Sequence, residues 1–121
     1  MTTKKRPRIS SRLERRFALL WRAVDGPVLQ TEFRFHPTRK WRADYAHLDS
    51  RTLIELEGGV WVGGRHNRSA GFVADAEKYL EAVLAGWRVV RLVDSQLTLE
   101  TVGRVAAMVR SGKKSDPMPD R

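Results

Sequence analysis

Apolar residues recur at two different periods along this chain, and the change of period marks out its elements. Over residues 11–24, Leu13, Phe17, Leu20, Trp21 and Val24 fall three and four apart, the spacing that keeps side chains on one face of a helix. Gly26-Pro27 ends that helix. Residues 28–35 then read as a strand, 36–40 as a basic turn, and 41–47 and 52–57 as a second and third strand. Side chains alternate along a strand. On the second, Arg42, Asp44 and Ala46 therefore share one face and Trp41, Ala43 and Tyr45 the other. On the third, Ile54 and Leu56 turn to a core while Glu55 and Glu57 point the opposite way. A glycine-rich loop over 58–71 leads to a helix over 72–85 with Phe72, Ala76, Tyr79, Leu80 and Val83 as its buried stripe, and Gly86 stops it at the C-cap position. A fourth strand covers 87–92. A last helix, 98–110, turns Leu99, Val102, Val105, Ala106 and Val109 inward.

The expected order is α-β-β-β-α-β-α, an α/β class. The helix between the third and fourth strands favours a parallel, right-handed crossover between them. The chain's 121 residues suffice for one domain with one modest core. We expect a flexible basic arm over 1–9 (Lys4, Lys5, Arg6 and Arg8 around a proline), a folded domain over 10–110, and a fraying tail over 111–121. No apolar run approaches the roughly 18 residues of a membrane span, and no apolar segment follows the basic N-terminus as in a secretory signal. The chain has no cysteine, which excludes disulfides and cysteine-ligated zinc and permits a reducing cytoplasm, the expected location.

Charge changes the picture. The net charge is +9, which points to a polyanionic partner, nucleic acid first. Inside this basic chain lies a carboxylate cluster. Asp44 sits on one strand and Glu55 and Glu57 on the next, with room between them for a turn. Acids crowded together repel, and a fold tolerates that best with a cation between them. Glu14 borders the first helix's stripe; it either closes an S-x-x-E capping box with Ser11 or reaches toward the same metal. Arg39, Lys40, Arg42, Arg65 and Arg68 flank the acids in sequence and fit phosphate clamps, since guanidinium grips phosphate through two parallel hydrogen bonds. A generic solvated basic face is the other reading of them. Trp61 either stacks on bases or packs under the loop. His36 and His47 read as structural or exposed.

The run I-E-L-E-G-G, then R-H, D-A-E-K-Y and G-W-R-V-V-R-L, following Asp44 one strand earlier, resembles the PD-(D/E)XK nuclease superfamily over about residues 11–92. It is most similar to that superfamily's small very-short-patch-repair-like and phage-type endonucleases. The resemblance implies a restriction-endonuclease-like α-β-β-β-α-β core, with a mixed four-stranded sheet flanked by helices and here an extra C-terminal helix. It implies Mg²⁺-dependent hydrolysis of DNA phosphodiester bonds, with Mn²⁺ as a substitute. Asp44, Glu55 and the Leu56 carbonyl would be metal ligands, and His66 would contact the scissile phosphate or donate a proton. Glu57 stands where the family has lysine. Either Glu57 is a further ligand or the base that orients water, or Lys78 from the next helix replaces the lysine. Lys78 lies off the expected buried stripe and three residues after Asp75, so a surface ion pair with Asp75 is the competing reading. One site per chain cuts one strand, so double-strand cleavage would need a homodimer or two events. The competing function is a nucleic-acid-binding module on a nuclease fold without cleavage; a third is an interaction protein with an acidic surface cluster.

Overall fold

The computed structural model describes residues 9–58 and 68–112, and all structural statements below concern these. Three long helices and one four-stranded sheet appear in the expected order: α1 (Ile9–Ala23), β1 (Gln30–Arg34), β2 (Arg42–His47), β3 (Thr52–Glu57), α2 (Arg68–Leu84), β4 (Arg88–Val93) and α3 (Leu99–Ser111). A single 3₁₀ turn, Asp94–Gln96, joins β4 to α3; the sequence reading has no counterpart to it. The arm over 1–9 and the tail over 111–121 fall almost wholly outside the described residues.

The sheet runs β1-β2-β3-β4. The first two pairings are antiparallel, and β3 pairs with β4 in parallel, Thr52 opposite Arg88 through Glu57 opposite Val93. The chain is thus an α/β fold with a mixed sheet, consistent with a nuclease-like core. Each face of the sheet is covered. On one, α1 and α3 bury Leu13, Phe17, Val102 and Val109 against Ile54, Leu56 and Leu92. On the other, Ala82 of α2 meets Phe35, Ala43, Ala46 and Leu53.

Four local expectations need correction. First, α1 begins at Ile9, which puts Ser11 inside the helix rather than at its cap. Second, strand alternation breaks at Asp44. Ala43 and Ala46 lie with one cluster while Tyr45 packs against the other; across from this break, Glu32 on the partner strand takes a left-handed φ of 51°, a conformation costly for a side-chain-bearing residue. Glu32 and Asp44 fall opposite each other between the Thr31–Tyr45 and Phe33–Ala43 pairs. Third, α2 starts at Arg68, inside the expected loop, and its stripe is rotated. Phe72, Leu80 and Val83 are exposed, whereas Ala82 is fully buried. Fourth, Leu99 is exposed at the start of α3, where Thr98 caps the helix by accepting the Thr101 N–H at 3.2 Å. Gly86 does end α2, with φ 96° in the region that favours glycine.

Candidate functional site

The β2–β3 ladder ends at Tyr45 opposite Ile54. One step beyond, the Leu56 N–H donates to Asp44 Oδ2 at 2.8 Å. Asp44 is thereby fixed at the end of the ladder. Burial raises its pKa above the usual carboxylate range; the Leu56 N–H and the charge of Lys78 act against that, while Glu32 and Glu57 add to it. The kink at Glu32 and the inner edge of α1 bring two further carboxylates to the same place. Glu14, Glu32 and Asp44 can each turn one oxygen so that all three lie within 4.8 Å of one another. They come from a helix and two strands, half-buried except for exposed Glu32.

The two glutamates of β3 have different surroundings. Glu55 is buried, and Lys78 Nζ of α2 lies 3.2 Å from its Oε2, though without hydrogen-bond alignment, so that oxygen has no hydrogen-bond partner among the described residues. Burial pushes the Glu55 carboxyl up to about 7; Lys78 restrains the rise, and Asp44 and Glu57 add to it. Glu57 accepts from Arg91 Nε of β4 at 2.9 Å, and this contact raises the arginine's own pKa. Tyr79 lies between the two cations, its ring 4.3 Å from the Arg91 guanidinium carbon and 5.2 Å from Lys78 Nζ. Burial raises its hydroxyl pKa, and the Glu55 and Glu57 charges raise it further.

Of the residues singled out in sequence, the structure brings Asp44, Glu55, Glu57, Lys78 and Glu14 to one end of the sheet. Lys78 reaches Glu55 rather than Asp75, against the helical-wheel expectation, because α2 is rotated. Leu56 is buried and in register with Leu92. Arg39 pairs with Glu77 at 3.2 Å and lies over the Trp41 ring. Arg42 pairs with Glu32 at 3.5 Å, and Lys40 is exposed. His66, Arg65 and Trp61 lie outside the described residues, as does the side chain of Arg68. His36 Nδ1 accepts the Arg39 N–H at 2.9 Å, and His47 Nδ1 meets Ser50 Oγ at 2.8 Å; both are structural. Glu32 was missed. Its only signal in the sequence is that it is the one acid of the first strand, Q-T-E-F-R.

Neither a protein-family model nor a curated protein matches the chain. Among solved structures, the chain is similar to one described as the catalytic domain of the homing endonuclease I-Bth0305I. The identity is 24 % and the TM-score 0.51, over 80 % of this chain and 88 % of that one. The likeness is one of fold. Among the described residues, no helix is long and apolar enough to cross a membrane.

Proposed function

We propose that the protein is a metal-dependent endonuclease that hydrolyses DNA phosphodiester bonds. The observation that carries this reading is the convergence of Glu14, Glu32 and Asp44 from three separate elements, on a fold similar to that of an endonuclease catalytic domain. Hard carboxylate oxygens suit Mg²⁺ or Mn²⁺, and these three residues would hold the ion. When bound, such an ion supplies a Lewis acid that activates water and offsets charge on the phosphate.

The chain's own residues do the rest. Asp44 is set by the Leu56 N–H, so its second oxygen is free to face the other two acids. Lys78 takes the place that a PD-(D/E)XK nuclease gives to a strand lysine, holding a positive charge beside Glu55 where the reacting phosphate would lie. Glu57, tied to Arg91, serves to orient that group rather than to ligate. Arg39, Lys40 and Arg42 lie on the β1–β2 side to contact backbone phosphates, with Arg65, Arg68 and His66 assigned to the same site from sequence.

A specific observation favours a second reading, a DNA-binding module without cleavage. Lys78 and Arg91 already neutralise Glu55 and Glu57, two of the three acids of the sequence motif. Labelled linear, nicked and branched DNA, incubated with Mg²⁺, Mn²⁺ or EDTA, separates the two. Cuts that need metal and vanish in Asp44→Asn support the nuclease. Metal-independent binding with no cut in any substrate supports the module.

A further inference from the structure

The arginines of α1 have no role in the site described above. Arg12, Arg15 and Arg22 are exposed on the side opposite buried Leu13, Phe17 and Trp21, and Arg16, also exposed, lies on the flank. The helix carries one acid, Glu14, and that is turned into the triad. Arg16 Nε donates to the Leu97 carbonyl at 3.3 Å. Among the described residues, Arg12, Arg15 and Arg22 enter no ion pair, whereas Arg39, Arg42, Lys78 and Arg91 each hold a glutamate. The other sheet-covering face differs: α2 exposes Asp75 and Glu77 and turns its Lys78 inward. On α2, Glu77 is already paired with Arg39 and Asp75 is exposed, whereas phosphates approaching along α1 meet guanidinium groups that enter no ion pair among the described residues.

We propose that the outer face of α1, through Arg12, Arg15 and Arg22, grips the phosphate backbone of duplex DNA and leads it past Glu14 to the acidic triad. The proposal rests on the nuclease reading and extends it to a surface that reading does not use. From Arg12 to Arg22 the helix rises about 15 Å. That matches roughly four phosphates along one strand at about 3.4 Å each. Guanidinium groups so placed fix register and orientation without reading sequence.

The test is duplex binding by fluorescence anisotropy over a series of NaCl concentrations in EDTA, for the unmutated protein and the triple variant Arg12→Gln/Arg15→Gln/Arg22→Gln. Each lost phosphate contact reduces the slope of log affinity against log salt by about 0.9. The triple variant is expected to lose up to about 2.7 from the slope by the same relation, and the corresponding triple lysine variant should recover most of it. Should the glutamine triple fail to fold, single Arg15→Gln and Arg22→Gln variants decide, each with an expected change of about 0.9. An unchanged slope in a folded variant, beside salt-dependent binding by the unmutated protein, overturns the proposal. Loss of slope in a protein that never cuts DNA supports this surface while removing the nuclease reading. Absence of any salt-dependent binding by the unmutated protein overturns both.

Discussion

Asp44 carries two tasks through two oxygens. One accepts the Leu56 N–H at 2.8 Å where the β2–β3 ladder ends; in the proposed site the carboxylate also faces Glu14, Glu32 and a cation. Asparagine can keep the first task through its carbonyl oxygen but brings an uncharged, weaker ligand to the second. Asp44→Asn should therefore keep its circular dichroism spectrum and lose cleavage by at least about 100-fold, since even indirect partners of a metal account for 10–100-fold. Cleavage within threefold of the unmutated rate would mean that Asp44 serves only the ladder.

Glu55 offers a separate prediction through pH. Burial holds its carboxyl at about 7, from an ordinary value of 4.5. Between those values the folded state binds more protons at this site than the unfolded state. Its contribution therefore favours folding at low pH and is lost as pH rises from about 4.5 to about 7. Glu55→Gln should remove that slope, an effect on the order of 1–3 kcal/mol across the window. Lys78 loses its anion in the variant, so the overall level of stability falls even as the slope flattens. Thermal melts at pH 5, 6, 7 and 8 read this directly, and an equally steep decline in both proteins would contradict it. In the sequence Asp44, Glu55 and Glu57 stand out by spacing and Lys78 only as one of two readings, whereas Glu32 comes near them through a kinked strand that no pattern announces.

At the scale of elements, the strands were legible because short runs rich in strand-forming residues lie between turn residues, although alternation breaks in β2 and β3 is buried along nearly its whole length. The order and the parallel β3–β4 pairing followed from the helix between them. The second helix shows where pattern fails. Its apolar residues Phe72, Leu80 and Val83 are more than half exposed, while Ala82 has no exposure. Hydropathy ranks alanine below these residues, yet only a small side chain fits where α2 comes close to Ala43, Ala46 and Leu53. The same rotation carries Lys78 and Tyr79 toward Glu55, Glu57 and Arg91, so polar pairing as well as burial sets the helix's face. Ala82→Leu should then destabilise the fold by about 1–3 kcal/mol through overpacking. Val83→Ala, one residue along, should stay within about 0.5 kcal/mol. Urea titration of both variants checks the orientation of α2: equal losses at the two positions would mean that the helix packs as its apolar period suggests.

Over the whole molecule, the net charge of +9 suggests a polyanion without saying where it would lie, because the distribution of charge between α1 and α2 emerges only once they lie on opposite faces of the sheet. The same holds for the metal. Two sets of acids could hold the proposed ion: Asp44 with Glu55 and Glu57, as the sequence motif has it, or Asp44 with Glu14 and Glu32, as the chain's path has it. Binding to the folded state alone stabilises it by about 2.7 kcal/mol at a hundredfold excess over the dissociation constant. For a chain of this size that is a Tm rise on the order of 10 °C. Mn²⁺ should produce such a rise in the unmutated protein, and EDTA should abolish it. The metal-free melting points of Glu14→Gln and Glu32→Gln set the baseline, since Glu32→Gln also gives up the exposed pair with Arg42. With metal, both should lose the rise, whereas Glu55→Gln, whose carboxylate is occupied by Lys78, should keep most of it. The reverse pattern, a rise lost in Glu55→Gln and kept in Glu14→Gln and Glu32→Gln, would move the ion to the β3 acids and require Lys78 to swing away from Glu55 when the ion enters.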